Sequence, residues 1–200
     1  MSDIIQNRYD SVDGRTVIAD IIFVISVDDI LTHLYTNHID PKCYLEPKKP
    51  YQLNSGVYII SHTPTFGIHA SCSSGEHIKV PVGSNIRWRA TTISDNFNYT
   101  VILYHFDKLH SSGNKIISQA SQIWSHTPSR IIPALQSGVN ACENAPKIDL
   151  IETKDHFFQA VALARGRERY TWAFGVYDGE EPQGFFKYDP YIHVTPSNSN

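Results

Sequence analysis

Methionine is nearly absent from this sequence, and cysteine is scarce. The 200 residues contain one Met, at position 1, and three Cys, while Trp, Tyr and Phe number 3, 11 and 9. Because Met usually fills the irregular gaps of a core, Leu, Ile, Val and the aromatic residues must fill them here. So little sulfur also excludes a role as a sulfur or methionine reserve.

Charge is low, and neither sign dominates. Charged residues make up 18% of the chain and the formal net charge is −3, whereas an average globular protein has about 25% charged residues. No basic stripe is present of the kind that contacts nucleic acid. The 41% of hydrophobic residues and 12% of aromatic residues exclude a disordered chain. We therefore expect a folded protein with no nucleic-acid partner.

Long hydrophobic runs are also missing. A transmembrane helix needs about 20 apolar residues, but the apolar run at 21–25 is bounded by Asp20 and Ser26. A signal peptide needs a basic head followed by an apolar stretch, but the first residues carry Asp3, Asp10 and Asp13, and the apolar stretch starts only at Val17. We expect no membrane partner and a cytoplasmic location.

The common motifs of catalysis and metal binding do not occur. The sequence has no CxxC, HExxH, GxSxG, Walker A or GxGxxG pattern. Cys43, Cys72 and Cys142 are far apart, which predicts reduced thiols, and the group His69, Cys72 and His77 lacks zinc spacing. We expect no metal, no cofactor and no enzymatic activity. A hydrolase remains an open alternative, because a catalytic triad is defined by geometry and not by sequence position.

The residues that are present predict many short strands and one helix. Residues 17–27, rich in Ile and Val, give the strongest strand signal. Apolar residues then follow at helical spacing after Asp28, whose carboxylate suits a helix start. Further strands are predicted at 57–60, 77–80, 86–93, 100–106, 130–132, 148–151, 157–164, 169–177 and 185–194. The strands at 86–93 and 100–106 are predicted to form a hairpin.

Regular turn signals between these strands favour an all-β fold. We expect an antiparallel β-sandwich, jelly-roll or immunoglobulin-like, with one short helix after the first strand. Residues 1–200 are interpreted as a single domain with a flexible arm at 1–15 and a flexible tail at 195–200. Residues 36–55 are interpreted as a surface loop. Residues 107–146 are the least regular part and form a long connection of the kind that often carries function.

Three segments together resemble a known family. They are the strand and helix at 21–31, the strand pair at 82–106 and the final segment at 184–194, in which an aromatic residue, Tyr188, precedes Asp189-Pro190. In order and spacing these segments resemble the bacterial inclusion body protein family AidA/PixA, over nearly the whole chain.

The resemblance implies a function without catalysis. Members are small cytoplasmic proteins of Gram-negative bacteria, often ones that live with a host, and they accumulate late in growth, frequently under quorum control. Some build crystalline inclusions, and the family divides into methionine-rich and methionine-poor members. No catalytic residues are established for it, so none is carried over. We therefore expect a self-associating inclusion body protein, a dimer or larger homo-oligomer, of the methionine-poor kind.

A second functional hypothesis is a lectin-like module that binds carbohydrate. Loops of a sandwich commonly carry binding groups, an exposed aromatic ring can form a sugar platform, and clustered carboxylates can bind calcium. The candidate ligand-binding residues are Trp124, His126, Asp178, Glu180 and Glu181.

A separate set of residues is predicted to have structural roles: Asp28, Trp88, Arg89, Tyr188 and Asp189. Successive residues of a strand face opposite sides, so Trp88 and Arg89 diverge. We predict that Trp88 lies in the core, and that Arg89 points either to solvent or to a carboxylate on a neighbouring strand, with Asp189 as its hypothetical partner.

Overall fold

Buried residues alternate with more exposed ones along segments such as 18–25, 57–63 and 191–195, and this period of two is typical of strands. The structure is a computed structural model. It describes residues 17–63, 67–71, 77–94, 98–108, 115–124, 130–135, 148–153 and 156–196. In chain order the elements are β1 (Ile18–Ser26), α1 (Val27–Thr36), a 3₁₀ turn (Pro41–Tyr44), β2 (Tyr51–Gln52), β3 (Val57–Thr63), β4 (Gly67–Ser71), β5 (His77–Pro81), β6 (Asn85–Ile93), β7 (Tyr99–Lys108), β8 (Ser121–Trp124), β9 (Arg130–Leu135), β10 (Ile148–Thr153), β11 (His156–Val161), β12 (Gly166–Asp178), β13 (Glu181–Tyr188) and β14 (Tyr191–Thr195).

The first sheet has six strands in the order β4-β3-β1-β6-β11-β8. Its two central strands, β1 and β6, run parallel, with Ile21 opposite Trp88. The other neighbours in this sheet are antiparallel. Every second residue of β1 is buried, so one face of this sheet forms half of the core.

The second sheet is organised around the long strand β12. β13 and β14 follow each other along one edge of β12, because Trp172 lies opposite Tyr188 and Arg169 opposite Tyr191. The backbone N–H of Tyr170 donates to the carbonyl of Pro190 at 3.1 Å, which bridges the short break between the two strands. β7 pairs with β12 as well, while β2 and β5 run parallel to β13 and β14.

Aromatic side chains join the two sheets. The Trp88 ring of β6 lies 5.8 Å from Tyr170, 5.6 Å from Trp172 and 5.6 Å from Phe106, measured between ring centroids. All four residues are buried, and Phe158 of β11 packs on Trp172 at 4.8 Å. Large rigid rings thus fill the core, in place of the flexible Met side chains that commonly fill irregular gaps.

The helix begins where β1 ends. Ser26 is the N-cap, and its Oγ accepts the backbone N–H of Asp29 at 3.4 Å. Asp28 lies in the first helical turn, where its negative charge is favourable to the helix dipole. Val27, Ile30 and Leu34 form the buried face. No helix in the described ranges is long and apolar enough to cross a membrane.

The structure confirms a β-sandwich-like fold with one helix after the first strand, and it corrects several details. The predicted hairpin of 86–93 with 100–106 is wrong, because β6 pairs with β1 and β11 whereas β7 pairs with β12 in the other sheet. The sheets are mixed and not purely antiparallel, since β1–β6, β2–β13 and β5–β14 are parallel.

The segments predicted to be irregular are partly ordered. The loop predicted at 36–55 contains the 3₁₀ turn and β2, and the connection at 107–146 contains β8 and β9. The arm predicted at 1–15 lies outside the described residues. The tail predicted at 195–200 is wrong at its first residue, because Thr195 pairs with Pro81, and residues 197–200 lie outside the described residues.

Replacing the central ring of the core tests this packing. We expect Trp88→Ala to lower the free energy of unfolding by about 3–5 kcal/mol, because truncation of a buried ring leaves a cavity. The measurement is urea unfolding followed by tryptophan fluorescence and circular dichroism. The control is Tyr35→Ala, whose ring is 84% exposed, and it should change stability by no more than about 0.5 kcal/mol. Equal losses in both variants would contradict the assigned core.

Candidate functional site

The acidic candidates lie at the hairpin turn between β12 and β13. Asp178 ends β12 and pairs with Glu181, which begins β13, so Gly179 and Glu180 form a two-residue turn. Gly179 has a φ of 57°, a conformation that glycine adopts without strain. Glu180 and Glu181 are exposed. The turn therefore presents its carboxylates to solvent.

The aromatic candidate lies on the other sheet. Trp124 ends β8, an edge strand of the first sheet, and pairs with His156 of β11. The Trp124 side chain and the whole of His126 lie outside what the structure describes. No described contact brings this strand to the acidic turn, so carbohydrate binding stays a prediction. Within the described ranges no group of three or more His, Cys, Asp or Glu side chains could hold a metal ion.

The opposite end of β12 is basic. Arginine occurs at every second position here, at Arg165, Arg167 and Arg169. The guanidinium groups of Arg167 and Arg169 lie 4.3 and 5.7 Å from the Tyr191 ring centroid. Lys79 of β5 is also exposed. It lies level with Arg167 across the intervening strand β14, because His193 pairs with both residues. Arg165 and Arg167 lie between the two strands predicted from sequence at 157–164 and 169–177. The period-two spacing of the three arginines was the signal that could have placed them on one face.

Asp189 is a buried structural acceptor. The hydroxyl Oγ1 of Thr171 donates to its Oδ1 at 2.7 Å, and Nη2 of Arg169 donates to its Oδ2 at 3.3 Å. Asp189 is 8% exposed and occupies the break between β13 and β14, opposite Thr171. Its carboxylate thus holds β12 to this strand pair where the regular ladder stops. Tyr188, directly before it, is buried against the same core.

Arg89 faces a carboxylate on a neighbouring strand, as predicted, but the partner is Asp20 of β1 and the hypothetical partner Asp189 was wrong. Nη2 of Arg89 lies 3.8 Å from Oδ1 of Asp20, and both side chains are 39% exposed. The reason is topological, because Arg89 belongs to the first sheet and Asp189 to the second. A loose, half-exposed pair of this kind contributes little to stability.

Glu168 is a buried carboxylate that the sequence analysis did not single out. It is 5% exposed on β12, and its Oε2 accepts the backbone N–H of Ile117 at 3.2 Å. Lys108 donates from Nζ to the carbonyl of Ile117 at 2.6 Å. Burial raises the pKa of the Glu168 carboxyl, while the Ile117 N–H and the Lys108 charge oppose that rise.

Strands β9 and β10 form a two-stranded ribbon separate from both sheets. β8 is followed along the chain by β9, and β10 is followed by β11. Because β8 pairs with β11 and β9 pairs with β10, the ribbon continues from the ends of two strands of the first sheet. Ile148, Leu150 and Ile151 are 51%, 71% and 52% exposed. Leu150 and Ile151 are neighbours and so face opposite sides of the ribbon. Both of its faces therefore present apolar groups to solvent.

Comparison with protein families assigns the chain. The family model described as PixA, inclusion body protein, matches residues 17–194. The chain belongs to the PixA family. A crystal structure of an inclusion body protein (PixA) from Burkholderia cenocepacia J2315 superposes with a TM-score of 0.61 at 17% identity, covering 92% of this chain and 99% of that one. Comparison with curated proteins gave no match.

Membership in the PixA family confirms the resemblance derived from the three sequence segments. At 17% identity the solved structure shows a shared fold alone. The aromatic-Asp-Pro segment on which the resemblance relied forms a structural tie, since Asp189 bonds Thr171 and Arg169.

Removing the Asp189 carboxylate tests this tie. We expect Asp189→Ala to lower the free energy of unfolding by about 1–3 kcal/mol, because the buried Thr171 hydroxyl loses its acceptor. Asp189→Asn keeps an acceptor and should lose less. Arg89→Ala should cost less than about 1 kcal/mol. Denaturant unfolding would contradict the assignment if Asp189→Ala were no more harmful than Arg89→Ala.

Glu168 gives stability a pH dependence. With its folded-state pKa raised above 4.5, the folded protein binds more protons than the unfolded chain, so this group lowers stability as pH rises above that value. Glu168→Gln keeps an acceptor for the Ile117 N–H and removes the titration. We expect unfolding free energies measured between pH 4 and pH 8 to fall less steeply in this variant than in the parent protein. A parallel dependence in both would contradict the role of Glu168.

Proposed function

We propose that this protein is a non-enzymatic, self-associating component of cytoplasmic inclusions. Its family membership supports the inclusion function, and the exposed apolar ribbon β9–β10 is the structural observation that carries self-association. Accumulation late in growth, quorum control and a role towards a host belong to the same proposal and rest on the family alone.

The β9–β10 ribbon has little stability of its own. An isolated two-stranded ribbon is marginally stable in water, and three or more strands or packing against a further surface are needed for independent stability. Burial of a large aliphatic side chain is worth about 1.5–3 kcal/mol. Ile148, Leu150 and Ile151 leave about half or more of that free energy ungained in the single chain. Association through the ribbon would stabilise both the ribbon and the assembly.

The low charge of the chain and its completed core favour another copy of the chain as the partner of the ribbon. Net charge is only −3 and charged residues are few, so repulsion between copies is weak. The core between the sheets is already filled by its own aromatic residues. The apolar surface on β10 is thus an excess over what folding requires, as expected of a protein that packs against itself.

Polar substitution on the ribbon tests the proposal. The double variant Leu150→Ser, Ile151→Ser should raise the concentration needed for assembly at least about tenfold, because two apolar contacts of 1 kcal/mol or more are lost. Assembly is measured by sedimentation velocity across a concentration series and by the pelleted fraction of cell lysates.

The matched control is Tyr35→Ser, Leu163→Ser, which removes two apolar side chains that are 84% and 46% exposed elsewhere on the surface. It should assemble like the parent protein. A parent protein that stays monomeric at all concentrations would contradict self-association. Equal assembly of the ribbon variant and the control would contradict the role of the ribbon.

A further inference from the structure

The position of a single proline determines which backbone groups β10 directs outward. In the ribbon, Pro133 of β9 lies opposite Leu150 of β10. Proline has no backbone N–H, so this pair cannot exchange the two hydrogen bonds of a hydrogen-bonded pair. It therefore occupies a non-hydrogen-bonded position, where both residues turn their backbone groups away from each other.

Hydrogen-bonded and non-hydrogen-bonded pairs alternate along an antiparallel pair of strands, so the position of Pro133 determines the direction of every backbone group of β10. The residues whose N–H and C=O point away from β9 are Ile148, Leu150 and Glu152. No described strand pairs with β10 on that side. β9 has the opposite property, because its own outer edge includes Pro133 and lacks a donor there, which protects it from strand addition. The open edge of the ribbon is thus the edge of β10.

The sequence of β10 is compatible with pairing to itself. In an antiparallel pair of two β10 edges, outward-facing residues must lie opposite outward-facing residues. Pairing Leu150 with Leu150 satisfies this rule and makes three hydrogen-bonded residue pairs, because Ile148 of each copy lies opposite Glu152 of the other. Centring the contact on Ile151 would make only two such pairs, each of Leu150 with Glu152. Pairing Leu150 with itself also avoids placing Asp149 opposite Glu152, the like-charge pair that a one-residue shift would create.

We propose that two copies of this chain join through antiparallel pairing of their β10 strands, with Leu150 of each copy on the two-fold axis. The proposal deepens the self-association proposed above and rests on it. The two ribbons become one four-stranded sheet, which crosses the threshold for independent stability. Like residues meet at the axis because a two-fold contact uses the same surface on both partners.

Cysteine cross-linking tests this register at single-residue resolution. The background protein carries Ser in place of Cys43, Cys72 and Cys142, and its fold and assembly are checked first by circular dichroism and sedimentation. In a hydrogen-bonded antiparallel pair the Cα atoms are about 5.5 Å apart, within the range of about 4.4–6.8 Å that a disulfide spans. Leu150→Cys should therefore form a disulfide dimer under mild oxidation.

Two off-axis variants supply the matched controls. Ile148→Cys and Glu152→Cys lie opposite each other across the proposed interface, but each lies four residues from its own copy, roughly 13 Å along the strand. Neither should cross-link alone, whereas an equimolar mixture of the two should form a heterodimer. Non-reducing electrophoresis and mass spectrometry identify the products.

The outcomes separate the two proposals. Self-cross-linking of Leu150→Cys together with mixture-dependent cross-linking of the other pair supports the proposed register. Assembly of the parent protein without either cross-link would overturn the β10 contact and leave self-association standing. Cross-linking of Ile148→Cys or Glu152→Cys with itself would overturn the register, and a background protein and parent that never associate would overturn both proposals.

Discussion

The packing of Trp88 against the aromatic residues of the facing strands is the interaction on which this fold depends. Trp88 lies at the centre of the first sheet, opposite Ile21 of β1, and contacts Tyr170 and Trp172 of β12. Both sheets are therefore positioned by one rigid cluster. With no Met to adapt, the shapes of the rings determine how closely the sheets approach, and β12 in turn positions the acidic turn and the basic end.

The β9–β10 ribbon is the part of the described chain that this core does not stabilise. It belongs to neither sheet, and its apolar residues face solvent. The two sheets bury their apolar residues against each other, whereas the ribbon leaves Ile148, Leu150 and Ile151 exposed to solvent. In the assembly proposed above, the chain would fold first and associate afterwards, since no residue of β10 belongs to the buried core.

Local elements were predictable from sequence, but their partners were not. The strand at 17–27 and the helix after it follow from a change of period from two to 3.6, and Asp178-Gly179 marks a turn by its chemistry. Pairing is different, because any two strands of period two can lie side by side. This is why β6 and β7 were wrongly joined, and why Arg89 was assigned to Asp189 instead of Asp20. The exposure of Leu150 could not be predicted from sequence either, since a short apolar segment usually indicates a buried strand.

Association through β10 is tested most directly by comparing hydrogen exchange in the dispersed protein with exchange in the assembled protein, resolved to single residues. If β10 strands pair, the N–H groups of Leu150 and Glu152 exchange rapidly in the monomer and become protected on assembly. The N–H of Ile151, already bonded within the ribbon, should gain less. Equal exchange of Leu150 in both states would contradict a contact made through β10.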